Sequence, residues 1–338
     1  MHKIIMLLLV LFSSLLCEDE YDGTYQLGDG IQVASLPLYI GGYISTDYQK
    51  TDTITRYRVD DVAMLAYGDY SKISYMLEFE FKEFYTLQDS LNKRTITKDE
   101  RLHTERLYID YTLNDNFLFK FGKYNTPIGY WNLLPVNVLR ATTSTPVSNT
   151  ILYPTFSTGS EISYSSYLGE GSELKIDVIL QKNDDLDSTY NNYVTDEHYG
   201  IGLKYSIDDI SFKIDAGLFH DILDEREKRY YFLLSNRYEN DNFQLTTEIG
   251  SQFSTEDVDT RYAGYSQLVY HVTDKNTAIL RLESYKEKLV KKSVIRNDNI
   301  AIFGYTYRPL YPIAIKSEYQ VHSKSKKNKF LFSFSVMF

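Results

Sequence analysis

The stretch KFLFSFSVMF, residues Lys329–Phe338, has an aromatic or β-branched residue at every second position. Period-two alternation of this kind puts one set of side chains on one face of a β-strand and the rest on the other. The apolar set is Phe330, Phe332, Phe334, Val336 and Phe338. Most soluble chains close with a polar, frayed tail. This stretch therefore predicts a strand whose apolar face meets something other than water.

The same alternation recurs along the chain, for example over residues 73–82, 107–111, 174–178 and 212–216. The 338 residues include 32 Tyr and 18 Phe but only seven Pro. Aromatic and β-branched residues in short alternating runs are typical of strands. The sequence therefore predicts an all-β protein.

The predicted strands are long. Most have about ten residues or more, which suits a strand that crosses a bilayer at a tilt, whereas strands of soluble proteins usually have about 5–6. We predict about sixteen of them. They lie near 36–49, 57–68, 72–86, 101–113, 117–124, 157–168, 172–182, 198–208, 210–220, 229–239, 242–254, 261–273, 277–287, 297–308, 311–322 and 328–338.

The connections alternate in length. Tight turns such as 114–116 and 240–242 alternate with longer polar segments such as 87–100 and 183–197. This pattern is typical of a transmembrane antiparallel up-and-down β-barrel with its short turns in the periplasm. Because lipid cannot hydrogen-bond the backbone, the last strand must pair with the first. The apolar face of the closing strand would then contact lipid.

The first seventeen residues have one lysine followed by a short apolar run. Such a run is typical of a secretory signal peptide and is short for a membrane helix. We expect a signal peptide over 1–17, a short periplasmic segment over 18–35 and the barrel over 36–338. Lipidation of Cys17 is the alternative, although Leu15 and Leu16 are bulky where a lipoprotein signal has small residues. Cys17 is the only cysteine, so no disulfide is expected.

The formal net charge of −10 argues against a nucleic-acid partner, which needs a basic face. The sequence has no glycine-rich phosphate loop and no Cys/His spacing typical of a metal site. We therefore predict no cofactor and no metal.

The connection after the fifth predicted strand is unusual. Residues 125–156 contain the only Trp, four of the seven Pro and one charged residue, Arg140. Loops of about thirty residues are uncommon unless they are functional. A segment this apolar should pack against protein, and the barrel interior is available. We predict that it folds inward.

The signal peptide, the sixteen strands and the final Phe338 together resemble the outer-membrane porins of Gram-negative bacteria. The segment FKFGKYNTPIGYW, 119–131, also resembles the Gly-x-x-x-x-Pro-x-Gly motif of the porin superfamily that includes phosphate-selective porins. This resemblance implies an integral outer-membrane channel, without catalysis, for passive diffusion of small hydrophilic solutes and ions. A barrel of this strand number is wide enough for water.

The resemblance also implies site residues and partners. The loop would narrow the pore, with its constriction at Trp131, Asn132, Asn137 and Arg140. The alternating set Phe330, Phe332, Phe334, Val336 and Phe338 would be the signal read by the barrel-assembly machinery. A homotrimer in contact with outer-membrane lipid and lipopolysaccharide is expected. The acidic loops, such as 184–197 and 256–259, could bind lipopolysaccharide through divalent cations, but solvated loop charge is the alternative that we favour.

Charged residues on the predicted inner face nearly balance in sign. The predicted pore-lining residues are Glu78, Glu80, Lys82, Arg106, Asp110, Lys120, Arg281, Glu283, Lys316 and Glu318. A phosphate-binding pore needs clustered cations at its constriction. The loop offers Arg140 alone and has no Asp or Glu, so no ion selectivity is predicted.

Three other functions or folds remain open at this point. The barrel could act as an adhesin or structural protein through its loops. It could be a surface protease that uses Asp184 and Asp185 with His220 and Asp221, although such proteases have about ten strands. A soluble β-sandwich would share the alternation but would purify without detergent.

Overall fold

Sixteen long antiparallel strands close into a barrel, as the sequence predicts. The computed structural model describes residues 27–90, 93–169, 171–223, 227–254, 258–289, 294–324 and 327–338. The barrel strands are β2 (Tyr39–Lys50), β3 (Ile54–Tyr70), β4 (Ile73–Ser90), β6 (His103–Thr112), β7 (Phe117–Asn125), β8 (Phe156–Gly169), β9 (Ser172–Gln181), β10 (Thr195–Ile207), β11 (Ile210–Asp221), β12 (Glu227–Glu239), β13 (Phe243–Ser254), β14 (Val258–Thr273), β15 (Asn276–Leu289), β16 (Val294–Tyr307), β17 (Ile313–His322) and β18 (Lys329–Met337). Two short strands, β1 (Ile31–Gln32) and β5 (Lys93–Thr97), extend the sheet.

The barrel closes between its last and first long strands. β18 pairs antiparallel with β2, from Met337 opposite Tyr43 to Phe330 opposite Lys50. Beyond the ladder, the Phe338 N–H donates to the Gly42 carbonyl at 2.9 Å, and the Gly42 N–H donates to the Phe338 carbonyl at 2.8 Å. The seam therefore leaves no open strand edge, which a bilayer would not tolerate.

Several strands, among them β2, β10, β14 and β16, begin about three residues away from the predicted positions, and the largest difference is in β3 and β4. β3 begins at Ile54 rather than 57, and β4 continues to Ser90 rather than 86. The extension of β4 pairs with β5, in a segment predicted to be loop. The prediction of a loop was wrong there. A polar hairpin can extend the pairing of two strands beyond the membrane, and because it has no lipid-facing side its sequence shows no alternation of apolar residues.

Side chains of β18 alternate between lipid and the interior. Phe330, Phe332 and Phe334 are 37–41% exposed, whereas Ser333 and Ser335 are fully buried. Val336 and Phe338 are half-buried. The apolar set thus lies on the outer face, where a membrane would cover it. Its function as an assembly signal stays a prediction.

The remaining elements are short. β1 pairs with the start of β2, with Ile31 opposite Ile40. The predicted signal peptide, residues 1–17, and residues 18–26 lie outside the described residues. The connection between β7 and β8 contains two 3-10 turns and a short helix, α1 (Val147–Ile151). In the described part of the chain, no helix is long and apolar enough to cross a membrane.

The closing seam generates the first testable prediction, at Gly42. A Cβ at this position would lie 2.4 Å from the Ala63 carbonyl oxygen and 2.9 Å from the Phe338 ring. We expect Gly42→Val to destabilise the refolded barrel by about 1–3 kcal/mol, the usual range for an overpacked site. Urea unfolding in detergent, followed by the mobility of unheated samples on SDS gels, measures this. Thr46→Ser, on the same strand, keeps the hydroxyl that donates to the Phe334 carbonyl and should unfold like the wild type. Equal midpoints for all three proteins would contradict the prediction.

Candidate functional site

The inner face of the barrel carries paired charges. All ten predicted pore-lining side chains lie on it: Glu78, Glu80, Lys82, Arg106, Asp110, Lys120, Arg281, Glu283, Lys316 and Glu318. Arg106 pairs with Glu78. Lys120 lies 2.7 Å from Asp110, and Lys82 lies 3.0 Å from Glu80. Pairing across the wall therefore offsets much of the cost of placing charges on a half-buried surface.

One pattern repeats on strands that run toward the long loops. A cation is followed two residues later by a carboxylate, so that both side chains point inward. The pairs are Lys175 and Asp177 on β9, Lys213 and Asp215 on β11, Arg281 and Glu283 on β15, and Lys316 and Glu318 on β17. This repeat is visible in the sequence. It includes many of the wall residues that bind the connection between β7 and β8.

Residues 126–155, here called the inner loop, contact this wall through their backbone. The Gly129 N–H donates to Asp215 at 2.9 Å. The N–H groups of Tyr130 and Trp131 donate to one Glu248 oxygen, at 2.5 and 3.1 Å. Gly129 has a φ of +64°, and a Cβ on it would lie 2.7 Å from Glu248. A glycine is therefore required where the loop meets the wall.

A second group of backbone contacts lies on the opposite half of the inner loop. Glu318 accepts hydrogen bonds from the N–H groups of Thr143 and Ser144 and from the Ser144 hydroxyl at 2.7 Å. Glu283 accepts the Val147 N–H at 3.0 Å. Carboxylates thus satisfy loop N–H groups that would otherwise have no partner inside the barrel.

Wall cations serve the loop carbonyls in the same way. Lys213 donates to the carbonyls of Pro127 and Gly129, and Lys316 donates to the Asn137 carbonyl. Arg281 donates to the Ser144 carbonyl at 3.0 Å. These cations are occupied by the loop, so they are not free to bind a permeating anion.

Apolar contacts hold both the ends and the middle of the loop. Ile128, Leu152 and Tyr153 pack with Phe219 and Leu233 on one side of the barrel. Val136 and Val138 pack against Tyr43, Ala63 and Leu65 on the other side. The inner loop therefore reaches from β11 and β12 to β2 and β3.

The four predicted constriction residues have different surroundings. Trp131 is buried and packs edge-on against Tyr265, with ring centroids 6.3 Å apart. The Asn132 amide donates to the carbonyls of Thr126 and Thr155, so it ties the two ends of the loop together. Asn137 accepts from Lys316. Their effect on conduction stays a prediction.

Arg140, the fourth, is half-buried, and its Nε donates to the Leu134 carbonyl at 2.7 Å. Among the described residues it has no ion-pair partner. The carboxylates that act on it from further away are Asp61, Glu105 and Asp60, on β3 and β6. Arg308 and Lys316 lie on its other side. Arg140 is thus a loop cation whose side chain contacts the Leu134 carbonyl and lies over the Trp131 ring, with 5.8 Å between its guanidinium carbon and the ring centroid.

One part of the inner wall is not bonded to the loop. Among the described residues, no hydrogen bond or ion pair joins the inner loop to β4, β6 or β7, which carry Glu78, Lys82, Arg106, Asp110 and Lys120. On the short-turn side of the loop, cavities of about 440 and 340 Å³ open, bordered by Tyr130 and by Trp131 respectively. The first cavity is lined by β9–β12 and the second by β12–β16, so space for water is present below the loop.

Residues 182–194 cross above the inner loop. The Tyr190 hydroxyl donates to Asp99 at 2.9 Å, and the Thr104 N–H donates to Asp187 at 3.0 Å. Burial and the Asp99 charge raise the pKa of Tyr190 to about 12. Burial alone would raise the pKa of Asp187, but N–H groups of Thr104 and Thr189 outweigh it and lower that pKa. Because a lowered carboxyl pKa stabilises the folded state only while the group is ionised, this contact weakens as pH falls below the usual range.

The comparison with known proteins fits this architecture. Residues 40–216 match the family model described as phosphate-selective porin O and P. No curated protein sequence matches the chain significantly.

Solved structures are similar in fold at low sequence identity. OmpF of Salmonella typhi, in complex with daunomycin, has 11% identity and a TM-score of 0.61, covering 89% of this chain and 97% of its own. The anion-selective porin of Comamonas acidovorans has 10% identity and a TM-score of 0.59, covering 89% and 98%. In-vitro folded OmpT of Vibrio cholerae, in its trimer form, has 11% identity and a TM-score of 0.59, covering 89% and 99%.

The family match spans more than half of the chain, and the closed barrel of long antiparallel strands is consistent with it. The chain belongs to the phosphate-selective porin O and P family and is an integral outer-membrane channel for small solutes.

Proposed function

We propose that small hydrophilic solutes and ions diffuse passively between the inner loop and the wall formed by β4, β6 and β7. The observation that carries this proposal is that Arg140 on the loop has, among the described residues, no ion pair with the wall carboxylates Asp61 and Glu105. Its Nε donates to the Leu134 carbonyl at 2.7 Å, while Asp61 accepts from Ser45 and Glu105 lies 3.5 Å from Lys82. A cation facing carboxylates across water sets up a transverse field. Such a field favours polar and charged solutes over apolar ones.

General diffusion fits this wall better than the phosphate selectivity in the family's name. Phosphate binding needs clustered, available cations. Lys213, Arg281 and Lys316 instead donate to loop carbonyls or side chains. We therefore propose a channel whose selectivity is set by the balance between Arg140 and the wall carboxylates.

We propose no catalytic step. The surface-protease alternative requires Asp184 and Asp185 to face His220 and Asp221. The carboxylate 3.4 Å from His220 Nδ1 belongs to Asp196 instead, and Asp221 lies 3.4 Å from Arg229. Asp185 accepts hydrogen bonds from Gln181 and Thr195. This arrangement supports a structural use of these groups.

A homotrimer is part of the proposal. The support is the similarity to OmpT of Vibrio cholerae, which is described in a trimer form. Bilayer conductance steps in groups of three would be the corresponding observation.

Detaching the inner loop should widen the pore. Glu248 and Glu318 hold its two halves, and a hydrogen bond to a charged group contributes about 1.5–3 kcal/mol. We expect Glu248→Ala/Glu318→Ala to raise single-channel conductance and open-channel noise in planar bilayers. Asp110→Ala removes a wall carboxylate that does not touch the loop and should leave the noise unchanged. Wild-type conductance and noise in the double variant would count against a fixed constriction.

Removing the loop cation and removing a wall carboxylate should shift the ion selectivity in opposite directions. A unit charge about 4 Å away in water is worth about 1 kcal/mol, so removing one near the ion path should change the permeability ratio several-fold. We expect Arg140→Ala to shift the reversal potential across a KCl gradient toward cation preference. Asp61→Asn should shift it toward anions.

Arg94→Gln is the control, because Arg94 is exposed on β5 and pairs with Asp89 outside the lumen. It should leave the reversal potential unchanged. Shifts of the same sign in Arg140→Ala and Asp61→Asn would refute the proposed balance between Arg140 and the wall carboxylates.

A further inference from the structure

A cavity of about 340 Å³ lies between the inner loop and the wall formed by β12–β16, on the short-turn side of the loop. Trp131, Leu134 and Leu139 border it from the loop, and Tyr265 and Val269 of β14 border it from the wall. Trp131, Tyr265 and Val269 are at most 5% exposed, so packing fixes their side chains. Part of the cavity surface is therefore apolar and preformed, as in pockets that bind organic molecules.

Polar residues border the same cavity at the short-turn ends of the strands. Thr277 lies near the start of β15, Thr306 lies near the end of β16, and Arg308 follows β16. The Arg308 guanidinium donates to the carbonyls of Arg140 at 3.2 Å and Tyr311 at 3.4 Å. Both acceptors are uncharged, and among the described residues Arg308 has no ion-pair partner. Its positive charge is therefore available to an anion that enters from this end.

A second arginine of the cavity is only weakly paired. Arg237 lies 4.0 Å from a Glu239 oxygen, and its Nε donates to the Thr246 hydroxyl at 3.3 Å. The Glu239 side chain is more than half exposed and accepts from the Gln244 amide at 2.8 Å. In the described part of the chain, Glu239 is the one carboxylate that borders the cavity. Two guanidinium groups and one carboxylate leave an excess of positive charge.

This combination of surfaces restricts what would fit. A small inorganic anion would contact an arginine but would leave the apolar side of the cavity in contact with water. An uncharged apolar molecule would cover that side but would form no charge-assisted hydrogen bond. A molecule with an apolar body and one carboxylate does both, because a guanidinium can bind a carboxylate through two parallel hydrogen bonds.

We propose that this cavity binds organic monocarboxylates that carry an apolar body, with the carboxylate at Arg308 and the body against Leu134, Leu139 and Val269. The cavity lies across the lumen from β4, β6 and β7, the wall along which we propose passive diffusion. A solute reaches it from the short-turn side of the barrel. Binding at this site therefore does not depend on whether solutes cross the barrel along the other wall.

The test is isothermal titration calorimetry on the full-length refolded barrel in detergent micelles. The probes are 3-phenylpropionate, the uncharged amide of the same acid, and inorganic phosphate. We expect the Kd of the amide to be at least about tenfold higher than that of the acid, because the amide cannot form the charge-assisted hydrogen bond. Inorganic phosphate should not displace the acid. Fluorescence of Trp131, the only Trp in the chain, should change when the acid binds.

Two substitutions separate the arginines. Arg308→Gln should raise the Kd of the acid about tenfold and leave the Kd of the amide nearly unchanged, a pattern that a merely structural role of Arg308 would not produce. Arg237→Gln should raise the Kd of the acid by a smaller factor, since Arg237 already shares its charge with Glu239. Arg94→Gln is the matched control, because Arg94 is exposed on β5 outside the lumen. It should bind both probes like the wild type.

Three results would overturn the proposal. The first is that the wild type fails to bind the acid or binds the acid and its amide equally. The second is an Arg308→Gln variant that keeps the wild-type preference for the acid. The third is displacement of the acid by a similar concentration of inorganic phosphate, which would make the cavity a site for small anions. Wild-type mobility of the unheated variants on SDS gels shows that they are folded. If Arg308→Gln does not refold, the comparison of acid with amide and the Arg237→Gln variant decide.

Discussion

A backbone surrounded by lipid must satisfy its hydrogen-bonding groups within the protein, and the rest of this structure follows from that demand. The pairing of β18 with β2 meets it by removing the last open edge. Closure also decides the direction of every side chain, because a period of two sends alternate residues to lipid and to the interior. Phe332 and Ser333, adjacent in the chain, therefore have opposite environments.

The same demand recurs inside the barrel, where the inner loop has little regular secondary structure to pair its own backbone. Charged wall residues substitute for that pairing. Glu248 and Glu318 accept loop N–H groups, while Lys213 and Lys316 donate to loop carbonyls. An unpaired charged side chain on a half-buried wall would lose hydration energy, and so would an unpaired peptide group of the loop. The hydrogen bonds between the two offset both losses.

Much of this could be predicted from the sequence. The alternation in stretches such as 329–338 predicts the strands, and the composition of 125–156 predicts a segment that avoids water. The pairing of β4 with β5 could not be predicted, because a polar hairpin outside the membrane needs no apolar face. The partners of Glu248 and Glu318 could not be predicted either, since they depend on the register between strands far apart in the sequence. Only the repeated cation–carboxylate spacing gave a local sign of them.

The wall holds the inner loop by its peptide groups as well as by side chains such as Val138 and Ser144. Substitutions of loop side chains that do not themselves anchor the segment would leave those peptide contacts in place, whereas Gly129 and the packed apolar side chains are fixed by the wall. The conformation of the inner loop can therefore stay the same while the side chains that contact a permeating solute change. A scaffold of this kind can acquire a new permeability by exchanging a few loop side chains, with no need to redesign the barrel that carries them.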